Sequence, residues 1–163
     1  MRRFSLIIFS AAIALAGCSS SPRAAEDPRQ MMLNLQPAIN SVPSSALGPQ
    51  VLDVGECGLF LWSKTDTTKF IFFSKALSGQ ALFAQDDTPL ALTQIGAGGD
   101  IFGQFNTRLD FASRDNRQVI LSLEPGEMLQ GGQRIENGLL TLIDGEGWLT
   151  KLPVLGVRAC QDE

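Results

Sequence analysis

Histidine and tyrosine are both missing from this chain of 163 residues. Without histidine the chain cannot assemble a Ser-His-Asp or Cys-His catalytic device, a histidine-ligated zinc site or the commonest general base near neutral pH. The sequence also contains no Ser-x-x-Lys and no Gly-x-Ser-x-Gly segment, so the serine–lysine nucleophile and the nucleophile elbow are absent at those spacings. We therefore expect no metal, no cofactor and no catalytic residue, and we expect a protein that is not an enzyme.

Paired acidic residues are the catalytic groups that remain. A glycosidase needs two carboxyl groups that face each other across a cleft, and three close pairs occur in the sequence: Asp86 with Asp87, Glu124 with Glu127, and Asp144 with Glu146. The prolines and glycines beside these acids make solvated turns the simpler interpretation. A carboxylate-dependent periplasmic glycan hydrolase stays open as an alternative, whereas the acids lack the ligand spacing of an EF-hand calcium site.

Cysteine is scarce, and the first of the three cysteines ends an N-terminal targeting segment. Arg2 and Arg3 precede an apolar run that stops at Leu15-Ala16-Gly17-Cys18, an arrangement typical of a secretory signal. These four residues resemble the lipobox of bacterial lipoproteins. The resemblance implies that residues 1–17 are a signal peptide and that Cys18 becomes the lipid-bearing N-terminus. Ser19 stands where an aspartate would mark retention at the inner membrane, which favours the periplasmic face of the outer membrane.

Positive charge is in the minority, with 13 Lys and Arg against 17 Asp and Glu and a net charge of −4. Removal of residues 1–17, which hold two arginines and no acid, changes the net charge to −6. This balance argues against nucleic acid and anionic lipid surfaces as partners, because both require clustered cations. A cationic protein partner is compatible with it.

Residues 18–50 have the composition of a flexible tether between the lipidated cysteine and a folded domain. Five of the eight prolines fall in this range, together with a group of serines. Proline stiffens such a segment toward extended conformations, which hold a domain away from the membrane. A short helix is an alternative within this range, with Asp27-Pro28 at its start and Met31, Met32 and Leu35 on one face.

Sustained 3.6-residue hydrophobic periodicity is missing beyond Val51, and short apolar runs separated by turn residues take its place. The pattern predicts an all-β domain over residues 51–163, a small antiparallel barrel or sandwich of about eight strands, because connections this short leave no room for crossover helices. The predicted strands are Gly58 to Lys64, Lys69 to Lys75, Ala81 to Gln85, Leu90 to Ile95, Ile101 to Phe111, Gln118 to Leu123, Arg134 to Ile143 and Trp148 to Arg158.

The first two predicted strands are apolar on both faces. Phe60-Leu61-Trp62 and Phe70-Ile71-Phe72-Phe73 break the alternation expected of a strand with one solvated face. We expect these strands to be covered on both sides, and an exposed apolar patch is the alternative.

The two remaining cysteines lie at opposite ends of the predicted domain. Cys57 heads the first strand and Cys160 follows the last, and in an oxidising periplasm such a pair normally forms a disulfide. We therefore expect a bond that places the two ends of the domain side by side. A redox-active or metal-binding thiol pair is the alternative, although the chain has no Cys-x-x-Cys.

Glycine is concentrated in Gly96-Ala97-Gly98-Gly99-Asp100. The dinucleotide fingerprint is excluded because Ile101 stands where its third glycine belongs and a strand follows. A bend or bulge that joins two strands is the simpler interpretation.

The segment from Leu90 to Phe102 is similar in layout to the membrane-bound C-type lysozyme inhibitors, in which Ser-Ala-Ser-Gly-x-x-Tyr follows a comparable strand. Gly96, Gly98 and Phe102 replace the two serines and the tyrosine, and Arg114 is the loose counterpart of the family's following lysine.

The resemblance implies a small antiparallel barrel whose binding loop involves Gly96, Gly98, Gly99, Asp100 and Arg114.

Taken together, the sequence predicts an envelope lipoprotein whose β domain is a non-enzymatic binding or accessory module with a protein or cell-wall partner. A C-type lysozyme inhibitor is one alternative and the glycan hydrolase is the other. The oligomeric state is left open.

Overall fold

The computed structural model of the protein describes residues 43–85 and 88–161. The signal peptide, Cys18, the tether up to residue 42 and the acidic pair Asp86-Asp87 lie outside the described residues. The expectations that concern them stay predictions.

Eight strands form the regular structure of the described residues. They are β1 (Cys57–Ser63), β2 (Phe70–Lys75), β3 (Gln80–Phe83), β4 (Leu90–Phe102), β5 (Phe105–Ala112), β6 (Gln118–Leu129), β7 (Gly132–Ile143) and β8 (Leu149–Cys160). Each strand pairs antiparallel with the next, and β8 pairs with β1, so the sheet closes into a barrel. The prediction of an all-β antiparallel domain of about eight strands is confirmed, and the barrel is the architecture found.

Side chains from alternate strand positions fill the interior of the barrel. Leu59 and Leu61 of β1 have no exposed surface, and neither have Phe72 of β2 and Phe111 of β5. The rings of Phe72 and Phe111 lie 5.3 Å apart, centroid to centroid, although β2 and β5 are not neighbours in the sheet. Because side chains meet from wall to wall, the inside of this barrel is a packed core.

The two ends of the domain meet at the seam between β1 and β8. Cys57 is the register partner of Cys160, and the two sulfur atoms are at disulfide distance although the cysteines are 103 positions apart in the sequence. The prediction that these two cysteines meet is confirmed.

Aromatic side chains cover the outer face of β1 and β2. The ring centroid of Phe60 lies 5.9 Å from that of Phe70 and 5.0 Å from that of Phe73, and Trp62 lies 5.0 Å from Phe70. These outward residues are partly or fully buried. The expectation that both faces of these strands are covered is therefore correct.

The cover over this aromatic patch is residues 43–52, which we call the strap. The amide of Leu47 donates a hydrogen bond to the Phe70 carbonyl at 2.7 Å, and the Leu47 side chain is only 7% exposed. Leu52 packs over Gly58, where a Cβ atom would lie 2.8 Å from its Cδ2. The packed unit therefore begins before Val51, the boundary expected from the sequence, because the aromatic patch needs an apolar cover.

The glycine cluster lies inside a strand, contrary to the sequence prediction of a junction between two strands. β4 continues from Leu90 to Phe102, and the turn to β5 falls at Gly103 and Gln104. The predicted strand from Ile101 to Phe111 is consequently wrong, since that turn divides it. The expected bulge is present, because the pairing of β4 with β5 shifts between Gln94 and Gly96 and again between Gly98 and Ile101.

Candidate ligand groove

An open groove of about 850 Å³ crosses the outer face of β2, β3, β4 and β5. This volume is within the range of sites that hold small-molecule or short peptide ligands. Its lining residues are Gln50, Phe73, Lys75, Gln80, Ala81, Leu82, Leu90, Ala91, Leu92, Thr93, Ala112, Ser113, Arg114 and Asp115.

Small residues at outward positions of neighbouring strands create the depression. The register pairs Leu82 with Ala91 between β3 and β4, and Thr93 with Ala112 between β4 and β5. Because paired residues share one face of a sheet, the two alanines give a low floor beside the taller side chains of Leu82 and Phe73. The floor is apolar, whereas amide and hydroxyl groups of Gln50, Gln80, Thr93 and Ser113 lie along it.

Lys75 forms the cationic rim at the β2 end of the groove, and two carboxylates hold it. Its Nζ lies 2.8 Å from Glu56 and 2.9 Å from Asp53. The hydrogen bonds that Lys75 donates to Glu56 and, second, to Asp53 raise the pKa of Lys75, and the bond that Asp53 accepts from Lys75 lowers the pKa of Asp53. The charge of Lys75 is therefore already compensated, and its amino group acts mainly as a fixed part of the wall.

Arg114 provides a second cation at the other end of the groove, in the loop between β5 and β6. Its side chain is exposed and has no ion pair among the described residues. The loop around it is held by Asp115, whose carboxylate accepts from Arg117 at 2.5 Å and from the Ser113 hydroxyl. The Arg117 guanidinium, with help from Ser113, lowers the pKa of Asp115 to about 2. A loop held by these contacts thus places the exposed Arg114 at the end of the groove.

The predicted binding-loop residues do not form one site. Arg114 lines the groove, whereas Gly96 belongs to a separate shallow depression with Leu77 and Ile95, and Gly98, Gly99 and Asp100 follow along the extension of β4. The resemblance to the lysozyme inhibitors grouped these residues in one binding loop, but the turn at Gly103 sends the chain back past the glycines before it reaches Arg114.

Packing explains the glycines of this extension. A Cβ atom on Gly96 would lie 3.1 Å from the Asp110 carboxylate and one on Gly98 would lie 3.9 Å from Arg108 Cδ. Arg108 and Asp110 form an ion pair at 3.2 Å on this outer face. Gly99 has a φ angle of +74°, and the Asp100 amide donates to Thr107 Oγ1 at 2.9 Å. Gly96 therefore makes room for the Asp110 side chain and Gly99 permits the second bulge, whereas Gly98 would accept a Cβ atom at ordinary contact distance.

The acidic pairs named from the sequence lie apart from the groove wherever the structure describes them. Glu124 and Glu127 belong to β6, where Glu127 faces Arg134 at 3.3 Å. Asp144 closes the loop between β7 and β8, because its carboxylate accepts the amides of Glu146 and Trp148 at 2.9 Å each. Asp115 is the one carboxylate among the described groove residues.

The described part of the chain holds neither a metal site nor a membrane-spanning helix. No group of three or more His, Cys, Asp or Glu side chains is arranged to hold a metal ion within residues 43–85 and 88–161. No helix in that part is long and apolar enough to cross a membrane.

Comparison of the chain with known protein families, with characterised proteins and with solved structures finds no match.

Sequence reasoning missed the floor of the groove. Leu82, Ala91 and Ala112 lie on three different strands, and only the register brings them together. The only sign of these residues in the sequence is that each is apolar at a position where the alternation of side chains along a strand predicts an outward-facing residue.

Proposed function

We propose that this protein is an outer-membrane lipoprotein whose β-barrel is a non-enzymatic module that binds a peptide segment of an envelope partner in the outer groove. The observation that carries the proposal is the groove of about 850 Å³ itself, with an apolar floor and the exposed Arg114 at one end. The packed interior supports the choice of an outer site, since Phe72 and Phe111 close the space inside the barrel.

The chemistry of the groove fits a short peptide that carries a carboxylate. Methyl-bearing side chains can lie on Leu82, Ala91 and Ala112, peptide groups can pair with the amide and hydroxyl groups along the floor, and a carboxylate can pair with Arg114. Stem peptides of the cell wall and acidic segments of envelope proteins both have this chemistry.

The groove is poorly equipped for hydrolysis. Asp115 is its one carboxylate among the described residues, and a pKa of about 2 keeps this group ionised, so it cannot serve as a general acid near neutral pH. Two facing carboxyls, which a glycosidase requires, are not brought together by the described residues of the groove. A binding role is therefore the better account of this site.

The test uses the full chain in detergent and a purified cell-wall stem peptide as the probe, with binding measured by calorimetry. Ala91→Trp fills the floor of the groove, and Arg114→Glu reverses the charge at its end. We expect the first change to abolish binding and the second to weaken it about tenfold, because hydrogen bonds to charged groups contribute roughly 1.5–3 kcal/mol.

The matched control is Leu139→Trp, which places the same bulky side chain on the outer face of β7, where Leu139 is 37% exposed. This variant should bind as the original protein does. Equal loss of affinity in the Leu139 and Ala91 variants would mean that the effect is general, and unchanged affinity in Ala91→Trp would remove the groove as the binding site.

Lysozyme inhibition is retained as a second candidate because a small antiparallel barrel and a net negative charge agree with that resemblance. A C-type lysozyme added to the same calorimetric series separates the two candidates. Tight binding that survives Ala91→Trp and is lost on Asp100→Lys would place the contact on the β4 extension and favour the inhibitor.

The lipid anchor is tested separately from the groove. Cys18→Ser should abolish incorporation of labelled palmitate and release the protein from the outer-membrane fraction, because acyl chains supply the membrane affinity. A Cys18→Ser protein that still sediments with outer membranes would contradict the anchor.

A further inference from the structure

Arg158 is a buried cation whose side chain contacts no carboxylate among the described residues. It lies on β8, is 8% exposed, and its Nε has no hydrogen-bond partner. The guanidinium stays charged in proteins, and burial of a charge without a partner costs several kcal/mol. The arrangement of residues around Arg158 therefore calls for an explanation.

The neighbour of the guanidinium is the disulfide. Arg158 Nη1 lies 3.5 Å from Cys160 Sγ, and no other hydrogen bond of this side chain is found in the described part of the protein. A disulfide sulfur is a weak acceptor, so it compensates the charge poorly. The turn of the β4–β5 hairpin covers the other side, since a Cβ atom on Gly103 would lie 2.5 Å from Nη1 and 2.7 Å from Cζ. The guanidinium is thus held against the sulfur.

Three acids of the described strands and their flanks are paired with other cations. Glu56, which precedes β1, contacts Lys75 at 2.8 Å. Asp110 of β5 pairs with Arg108, and Glu127 of β6 pairs with Arg134 of β7. Within the described residues, the sulfur of Cys160 is therefore the group best placed to become an anion beside Arg158.

We propose that Arg158 stabilises the thiolate of Cys160, so that the Cys57–Cys160 disulfide is a reversible modification site for a dithiol reductant of the envelope. A cation near a cysteine lowers the pKa of its thiol. A disulfide whose reduced form is stabilised is easier to reduce. Reduction would also give the buried guanidinium a negative partner, which it lacks among the described residues of the oxidised protein.

The exchange can be written atom by atom. One thiolate of the external dithiol attacks Sγ of Cys160, a half-buried residue, whereas Cys57 is only 4% exposed. The Sγ–Sγ bond breaks, and Cys57 leaves with the electron pair and takes up a proton. The second thiol of the reductant then loses its proton to solvent and attacks the reductant sulfur of the mixed disulfide. Cys160 leaves as a thiolate beside Arg158, and the reductant becomes a disulfide.

The experiment is a redox titration of the full chain in mixtures of reduced and oxidised dithiothreitol, read by alkylation and mass spectrometry of the peptides that contain Cys57 and Cys160. We expect Arg158→Met to need about a tenfold higher ratio of reduced to oxidised reagent for half-reduction, which corresponds to ~30 mV for a two-electron couple. Arg158→Lys keeps a cation and should remain near the original ratio. Arg134→Met, at an exposed position of β7, is the matched control and should not change it.

A second readout does not depend on the folding of the methionine variant. In the reduced original protein, the rate of Cys160 alkylation should rise with a pH midpoint below the ordinary thiol pKa of about 8.5. An Arg158→Met protein that titrates like the original would overturn the proposal. If that variant fails to fold, a Cys160 midpoint at or above about 8.5 in the original protein would overturn it as well.

Discussion

At the scale of single residues, Gly156 is fixed by a backbone contact in the wall of the barrel. It pairs with Leu61 of β1 and Ile135 of β7, and a Cβ atom at this position would overlap the Phe60 carbonyl oxygen. Because the obstacle is backbone, no side chain can move aside to relieve it. We predict that Gly156→Ala lowers the free energy of unfolding by about 1–3 kcal/mol, measured by urea denaturation.

Gly48→Ala is the control for this change. No heavy atom lies within 4 Å of a Cβ built on Gly48. The same chemical substitution should therefore alter the free energy of unfolding by less than about 0.5 kcal/mol. Similar urea midpoints for the two variants would show that the wall tolerates a methyl group at Gly156.

The lowered pKa of Asp115 predicts how the stability contributed by its ion pair depends on pH. Its pKa is lowered to about 2, first by Arg117 and then by Ser113. A folded-state pKa below the ordinary value of 3.8 means that the contribution of this ion pair to stability is present above pH 3.8 and is lost as the pH falls toward 2. We expect the NMR signal of the Asp115 carboxyl carbon to titrate with a midpoint of about 2.

Two variants separate the cause of this shift from a general effect of charge. Arg117→Gln removes the principal partner and should move the Asp115 midpoint up toward 3.8. Arg134→Gln removes a cation on β7 that pairs with Glu127 instead, so it should leave the midpoint in place. A midpoint near 3.8 in the unaltered protein would contradict the ion pair.

At the scale of elements, the strap is held to the barrel by one buried anchor. Leu47 is 7% exposed and packs against the core, whereas Val51, four residues later, is 80% exposed. We predict that Leu47→Ala lowers the free energy of unfolding by roughly 2–3 kcal/mol, as large-to-small changes in cores do. The emission of Trp62 should also shift to longer wavelength, because the aromatic patch gains water.

Val51→Ala is the control for the strap, since it trims an exposed residue of the same segment. Trp148 is 72% exposed and contributes a nearly constant emission in both variants. Equal stability of the Leu47 and Val51 variants, with no change in Trp62 emission, would mean that the strap does not cover the patch.

Elements also show where sequence reasoning succeeded and failed. The strands at Phe60 and Phe72 were predicted because apolar runs separated by turn residues are a local property. The end of β4 was misplaced because the glycines of the cluster indicate a turn, while the role of Gly96 and Gly99 depends on Asp110 and Thr107 of the neighbouring strand. From the sequence alone, a glycine that leaves room for a side chain of a neighbouring strand looks the same as a glycine that bends its own strand.

At the scale of the whole molecule, the barrel was predictable only as one of two architectures. Short connections determine that neighbouring strands are antiparallel, but closure depends on the pairing of β8 with β1, which are far apart in the sequence. The positions of Cys57 and Cys160 were the one sequence signal for this long-range pairing. The groove lacked any such signal, because its floor of Leu82, Ala91 and Ala112 exists only once the register is set.

The closed seam leads to a prediction for the molecule as a whole. Cys57 and Cys160 are 103 positions apart in the sequence. A disulfide that closes a loop of that length contributes about 4–5 kcal/mol in the chain-entropy account. Removal of a native disulfide typically costs about 2–5 kcal/mol. We expect the Cys57→Ala, Cys160→Ala double variant to lose an amount in that range in urea denaturation. The original protein should lose a comparable amount when dithiothreitol reduces it, whereas the double variant should be insensitive to the reagent. If the double variant is as stable as the oxidised protein, the hydrogen bonds and packing of the β1–β8 seam are sufficient to close the barrel without the covalent bond.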